Sequence, residues 1–110
     1  MNDGLTPKNR EEIRAILAKS AHVDRAVLFG SRATGAFGRA SDIDLALEGE
    51  NLNLMDLLSL SGEFSESSLP YEVDLVMRSK IINPELESRI QRHGTMFYEK
   101  CSRMNESGYP

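Results

Sequence analysis

Two aspartates that lie two positions apart, Asp42 and Asp44, are the first residues in this chain that could do chemistry. Side chains of a strand alternate between its two faces, so both carboxylates would point one way while Ile43 and Leu45 point the other way. Aspartate is depleted in strands, and two carboxylates on one face repel each other unless a cation lies between them. Since Mg2+ prefers oxygen ligands, the pair predicts a divalent metal site.

A Gly-Ser turn precedes this pair and follows the apolar run 26–29. Gly30 has no β-carbon, so a ligand or another stretch of backbone can approach it closely. Ser31 is a favourable N-cap, and the helix that it begins would direct free N–H groups outward, where they attract phosphate. Arg32 would oppose the dipole of that helix unless it contacts a phosphate, so we include it in the predicted nucleotide site. The other nearby cation, Arg39, is expected at the surface.

A third carboxylate interrupts the apolar segment Tyr71 to Met77, which predicts a strand that starts after Pro70. Val73, Leu75 and Met77 would share one face of this strand, and Asp74 would lie on the other. An unpaired carboxylate in such a strand is costly, so Asp74 either pairs with a lysine or arginine or lies beside the aspartates of the neighbouring strand. We favour the second interpretation.

The pattern Gly30-Ser31, ten residues, Asp42-x-Asp44 and a later strand aspartate resembles the signature of the nucleotidyltransferases related to DNA polymerase β. More closely, the chain resembles the minimal nucleotidyltransferases, small single-domain proteins usually paired with a HEPN-domain protein. The segments 69–76, 83–86 and 93–99 also resemble that family. The resemblance spans roughly residues 10 to 100, which is most of the chain.

This resemblance implies an α/β (α+β) fold, a small mixed sheet with packed helices and the palm topology of polymerase β. It implies an enzyme that depends on two Mg2+ ions. The enzyme would transfer a nucleoside monophosphate, with AMP as the preferred group, from ATP or another NTP to a hydroxyl acceptor. A HEPN-domain partner is the implied acceptor, and the chain would be the antitoxin of that pair. Asp42, Asp44 and Asp74 would be both metal ligands and catalytic residues, with Asp74 serving the ion that activates the acceptor or taking its proton directly. Gly30, Ser31 and Arg32 would bind the nucleotide.

Length and composition set limits on these interpretations. A chain of 110 residues predicts one domain over 1–110, with an ordered core at about 6–101, and its small size favours added stability from a partner or a second copy. The net charge of −4 argues against direct nucleic-acid binding, which depends on many lysines and arginines. A single cysteine, Cys101, excludes an internal disulfide. No apolar run approaches a membrane span or a signal peptide, so we expect no membrane association and a cytoplasmic location.

Hydrophobic periodicity and helix-capping residues predict the remaining elements. We expect a helix from Thr6-Pro7 to about residue 20, strands at 25–29 and 43–48, a short helix from about Arg32, and a leucine-rich helix at about 52–64. A helix should begin at Asn83-Pro84 and end near Gly94, as a left-handed C′ glycine, before a short strand at 95–99. For the leucine-rich helix a core-packing role is preferred to a partner-binding face. We assign no catalytic role to His22 or His93.

Two other functions use the same residues. In the first, the chain is a non-catalytic scaffold for a HEPN-domain partner and its nucleotide site is vestigial. In the second, the carboxylates serve a metal-dependent phosphate hydrolase. Binding of Mg-ATP separates the first from a transferase, and the reaction products separate the second.

Overall fold

The computed structural model describes residues 4–35, 38 and 42–100. Arg39 and Cys101, which the sequence analysis discussed, lie outside the described residues. The elements in chain order are helix α1 (Pro7–Leu17), strand β1 (Arg25–Phe29), helix α2 (Ser31–Thr34), strand β2 (Ile43–Glu48), helix α3 (Leu54–Ser65), strand β3 (Val73–Met77), a 3-10 turn (Arg78–Lys80), helix α4 (Pro84–His93) and strand β4 (Thr95–Glu99).

The four strands form one mixed sheet in the order β3-β2-β1-β4. β1 is antiparallel to both of its neighbours, β2 and β4. β2 and β3 are parallel, so the chain must cross from the end of one strand back to the start of the other, and α3 forms this connection. The predicted mixed α/β architecture is therefore confirmed.

Apolar side chains cover both faces of the sheet. On one face Leu28 and Leu45 belong to the larger cluster, which α1 joins through Ile13 and α3 joins through Leu60 and Phe64. On the other face α4 packs through Ile90, which is 2% exposed, in a smaller cluster with residues of β1 and β2. The sheet is therefore the middle layer of the molecule. Because strand side chains alternate, every second side chain of β2 and β3 faces α4 and reaches the smaller cluster.

The helices begin where side chains cap them. The Thr6 hydroxyl accepts a hydrogen bond from the Asn9 N–H at 3.0 Å, and the Asn9 side chain accepts one from the Thr6 N–H at 3.2 Å. Asn53 caps α3 in the same reciprocal way with Asp56. Asn83 caps α4, since its side-chain oxygen accepts a hydrogen bond from the Glu85 N–H at 2.9 Å. Such caps satisfy N–H groups that lack partners within the helix. None of the helices in the described ranges is both long and apolar enough to cross a membrane.

Gly94 has a different role from the predicted one. Its φ of −66° is not left-handed, so it is not the expected C′ glycine of α4. A β-carbon there would lie 2.6 Å from Cγ1 of Val27 and would also collide with the Ile90 carbonyl oxygen. Glycine is required because α4 passes directly over β1 at this point, not because of its backbone conformation.

The leucine-rich helix corrects a second prediction. Leu60 and Phe64 of α3 pack into the core as expected. Leu54, Met55 and Leu58 do not, since they are 65%, 71% and 59% exposed. The preferred core-packing role therefore holds for one side of α3, and its other side presents leucine and methionine outside the core.

Candidate active site

Asp44 and Asp74 lie opposite each other on the neighbouring parallel strands β2 and β3. Residues paired across a sheet direct their side chains to the same face, so the two carboxylates share one face. Asp42 precedes β2 directly and lies two residues from Asp44. Asp42 and Asp74 are exposed, whereas Asp44 is half-buried. The structure thus brings together the three carboxylates that the sequence singled out.

The electrostatics of this group act most strongly on Asp44. Burial raises the pKa of the Asp44 carboxyl to about 6, and the negative charges of Asp74 and Asp42 contribute further to that rise. Each of these causes disfavours the ionised carboxylate. The site is therefore short of positive charge, and a bound cation would stabilise the ionised form of Asp44.

The donor chemistry of this site fits Mg2+, which binds hard oxygen ligands. Among residues 4–35, 38 and 42–100, however, no group of three or more His, Cys, Asp or Glu side chains is arranged to hold a metal. Charge and ligand type therefore favour a divalent ion at Asp42, Asp44 and Asp74, although the three carboxylates do not form a ready-made three-ligand site.

The Gly-Ser turn lies directly against the carboxylates. Gly30 has a φ of +79°, and a β-carbon on it would overlap the Asp44 carboxylate, with the Asp44 Cγ only 3.2 Å away. The carbonyl oxygen of Gly30 accepts hydrogen bonds from the N–H groups of Ala33 and Thr34 at 3.1 and 3.3 Å, which begins α2. Ligand groups held by this turn would therefore be next to Asp44.

Ser31 is not the N-cap that the sequence analysis predicted. Gly30 occupies the N-cap position without a side-chain hydrogen bond, and Ser31 is the first residue of the four-residue helix α2. The shift by one residue follows from Gly30, whose left-handed φ is easily adopted only by glycine. The Ser31 side chain is half-buried and is not engaged in capping.

Arg32 is buried, with 1% of its surface exposed. Its guanidinium carbon lies 4.4 Å from the centre of the Tyr71 ring, an attractive contact between a cation and the face of an aromatic ring. Tyr71 could not be identified as the partner of Arg32 from the sequence, because nothing in the spacing of the two residues relates them. A contact between Arg32 and a nucleotide phosphate stays a prediction, and the Tyr71 contact holds its side chain at the end of the sheet where Gly30 lies.

His22 has a structural partner away from the carboxylates. Its Nδ1 lies 2.9 Å from Oδ2 of Asp56, the residue that completes the cap of α3. The hydrogen bond from His22 is the main reason why the pKa of Asp56 is lowered. This pair fastens the loop before β1 to the start of α3.

The sheet with opposed carboxylates beside a Gly-Ser turn defines a protein of the nucleotidyltransferase class. A family model described as "Polymerase beta, Nucleotidyltransferase" matches residues 11–103. The chain belongs to this family. No curated protein matches it.

Solved structures of toxin–antitoxin complexes are similar to the chain. A toxin–antitoxin structure with AMP-PNP is 26% identical, with a TM-score of 0.69 over 84% of this chain and 74% of that one. The MntA–HepT toxin–antitoxin is 22% identical, with a TM-score of 0.64 over 86% and 74%. A tri-AMPylated HEPN toxin of Shewanella oneidensis in complex with an MNT antitoxin is also 22% identical, with a TM-score of 0.63 over 84% and 71%. The fold is therefore that of minimal nucleotidyltransferases found in such pairs.

Proposed function

We propose that the chain transfers AMP from ATP to a hydroxyl group of a HEPN-domain protein, as the antitoxin of a toxin–antitoxin pair. The observation that carries this proposal is the position of Asp44, which lies opposite Asp74 on one side and against the Gly30 turn on the other. The same fold occurs in a toxin–antitoxin structure that contains AMP-PNP, an ATP analogue. A tri-AMPylated HEPN toxin in complex with an MNT antitoxin supports the choice of acceptor.

The proposed reaction makes one bond and breaks one. The acceptor oxygen attacks the α-phosphorus of ATP, and the bond from that phosphorus to the bridging oxygen of the β-phosphate breaks, so pyrophosphate leaves. Backbone groups of Gly30 and Ser31 would hold the β- and γ-phosphates next to Asp44. Asp74, which is exposed, would take the proton of the acceptor hydroxyl.

Asp42, Asp44 and Asp74 would hold two Mg2+ ions in the active complex. Bound Mg2+ supplies Lewis-acid chemistry that neutralises charge on the attacking and leaving oxygens. In transfers of this type, positioning and electrostatic stabilisation provide most of the rate enhancement. The raised pKa of Asp44 supports this assignment, since a bound cation would offset both of its causes, which are burial first and then the negative charges of Asp74 and Asp42.

A protein acceptor is favoured over a nucleic acid. The chain carries a net charge of −4, and nine acidic residues but no lysine or arginine lie between Arg39 and Arg78. Such a surface repels a polyanion, whose binding depends on neutralised phosphates. An acceptor hydroxyl on a partner protein avoids this cost.

A non-catalytic scaffold is the second candidate. The described residues contain no three-ligand metal arrangement, and the side chain of Arg32 is buried, which are features that a vestigial nucleotide site would also have. In that case the chain would bind its HEPN-domain partner but not Mg-ATP. Calorimetry of the purified chain with Mg-ATP separates the two functions.

The decisive experiment combines the chain, its proposed HEPN-domain partner, Mg2+ and ATP labelled at the α-phosphate. We expect label on the HEPN-domain protein and an intact mass higher by whole AMP units. Asp44→Asn and Asp74→Asn should abolish labelling, whereas Glu72→Gln, at an exposed carboxylate just before β3, should retain it. Free nucleotide without modified protein would identify a hydrolase, and unlabelled protein with no ATP turnover would support the scaffold.

A further inference from the structure

An apolar groove of about 840 Å³ lies beside β3, which is one of the two edge strands of the sheet. The start of α3 forms one wall through Leu54 and Leu57. The segment before α4 forms the other wall through Ile82, and Val76 of β3 contributes to the lining between them. The groove is therefore built where two helices and a sheet edge meet.

The walls of this groove present apolar side chains that the fold does not bury. Leu54 is 65% exposed and Ile82 is 94% exposed. On α3, Met55 and Leu58 continue the apolar surface beyond the groove, at 71% and 59% exposure. Leu54, Leu57 and Leu58 follow the spacing of one helix face. Contiguous exposed apolar surface of this kind marks an interaction site.

Lys80 is the charged residue that lines the groove. Within the part of the chain that the structure describes, its side chain has no ion-pair or hydrogen-bond partner. An occupant that fits must therefore offer apolar side chains for the walls and a carboxylate for Lys80. A second copy of the chain would instead bring another Lys80 to the same apolar groove, and like charges there would repel.

The groove adjoins the candidate active site through β3. Val76 and Asp74 lie two residues apart on this strand and face the same way. Two residues of a strand span about 7 Å, so a segment seated in the groove lies within one or two side-chain lengths of the carboxylates. Docking in the groove would therefore bring an acceptor hydroxyl towards Asp74.

We infer that the groove docks an amphipathic helix of the partner protein, with an apolar stripe against Leu54 and Ile82 and an acidic residue at Lys80. A helix laid in an apolar groove is a recurrent mode of protein recognition. The inference rests on the proposed function, because it takes the docked protein to be the AMP acceptor. It assigns the specificity for the acceptor to α3 and to the segment before α4.

The test measures binding to the HEPN-domain protein by calorimetry, and in parallel binding of Mg-ATP and transfer of AMP. Ile82→Asp and Lys80→Glu should weaken binding of the partner about tenfold or more, as loss of a central anchor does. Lys80→Arg, which keeps the positive charge, should bind the partner as the wild type does. Ile82→Asp and Lys80→Glu should both bind Mg-ATP as the wild type does, with a raised KM for the protein acceptor and an unchanged kcat. Met96→Asp, at a 56% exposed residue on the far edge strand, is the matched control and should bind the partner normally.

The outcomes separate this inference from the proposed function. Partner binding by Ile82→Asp and Lys80→Glu at wild-type strength would overturn the groove assignment, even if AMP transfer occurs. Failure of the wild type to bind the partner would overturn it too. A wild-type dimer that Ile82→Asp converts to a monomer, seen by light scattering, would show that a second copy fills the groove and would also overturn it. Binding of the partner that depends on the groove, without AMP transfer, would support the docking site and contradict the proposed enzymatic function.

Discussion

Gly30 and Asp44 lie so close together that a β-carbon at position 30 would occupy the space of the Asp44 carboxylate. This contact joins the turn after β1 to the first residues of β2 at the candidate active site. Gly30 also has a φ of +79°, a conformation that other residues adopt only at a cost. The requirement for glycine thus has two independent causes, one steric and one conformational.

Gly30→Ala should therefore be more damaging than the same change at Gly35. Gly35 has a φ of +86°, yet a β-carbon there would meet nothing within 4 Å. Gly35→Ala should cost only the left-handed strain of about 1–2 kcal/mol in free energy of unfolding. Gly30→Ala should cost more than this and displace Asp44, so Mg-ATP binding should be lost as well. Urea unfolding and calorimetry of both variants check the comparison, and equal losses would contradict it.

Asp44→Asn should stabilise the metal-free protein at neutral pH. The folded-state pKa of about 6 lies above the ordinary value of 3.8, so the stabilising contribution of Asp44 is complete below pH 4 and is lost as the pH rises through 6. At pH 7.5 the variant should be more stable by about 1 kcal/mol, a figure reduced for solvent screening because Asp44 is only half-buried.

The measurement is urea unfolding of the wild type and Asp44→Asn between pH 4 and 8 without divalent ions. The two stabilities should converge towards pH 4. Addition of Mg2+ should raise the stability of the wild type at pH 7.5 and leave Asp44→Asn nearly unchanged. If the wild type proved more stable than Asp44→Asn at pH 7.5 without Mg2+, Asp44 would be stabilised as a carboxylate, contrary to its raised pKa.

Arg32→Met should reduce both stability and nucleotide affinity. Methionine keeps part of the buried stem but removes the charge over the Tyr71 ring, so we expect a loss of about 1–2 kcal/mol in free energy of unfolding. If Arg32 also contacts phosphate, the Kd for Mg-ATP should rise about tenfold. Tyr71→Phe keeps the ring and is the control, expected to match the wild type in both measurements. Loss of stability with unchanged ATP affinity would limit Arg32 to a structural role.

Arg78 should contribute more to stability than Arg25. Arg78 bonds Glu48 at 2.7 Å and Glu87 at 2.9 Å and is 24% exposed, so it ties β2 to α4. Arg25 also pairs with two carboxylates, Glu48 and Glu99, but at 3.3 Å each and with 49% exposure. Thermal unfolding should show a loss of about 1–2 kcal/mol for Arg78→Met and a smaller loss for Arg25→Met, whose ion pairs are more exposed. In 1 M NaCl the loss for Arg25→Met should shrink more than the loss for Arg78→Met, since salt at this concentration screens exposed charges beyond about 3 Å and acts less on partly buried pairs.

Much of the architecture could be predicted from local sequence signals. The bounds of β1 and β2 follow from apolar runs that end at Gly30 and Gly49, and both strands match the prediction. The starts of α1 and α4 follow from a capping residue before proline. The pairing of Asp74 with Asp44 could be anticipated because an acid within an apolar strand needs a compensating environment.

Other features depend on contacts between distant residues, which the sequence does not reveal. The exposure of Leu58 could not be predicted, because apolar spacing marks a helix face without showing what covers it. Glycine is needed at position 94 because α4 passes over Val27 there. The position of the Arg32 side chain depends on its contact with Tyr71. The catalytic, nucleotide-binding and metal roles of the candidate residues stay predictions that the experiments above address.

The connection from β2 to β3 through α3 has a consequence for how such proteins diverge. One side of this helix is anchored in the core by Leu60 and Phe64, and the opposite side carries Met55 and Leu58 at the surface. Mutations on the outer side can accumulate without shifting the strands that hold the aspartates. Under the proposed function, a lineage with this fold can thereby exchange one protein target for another while it inherits its reaction unchanged.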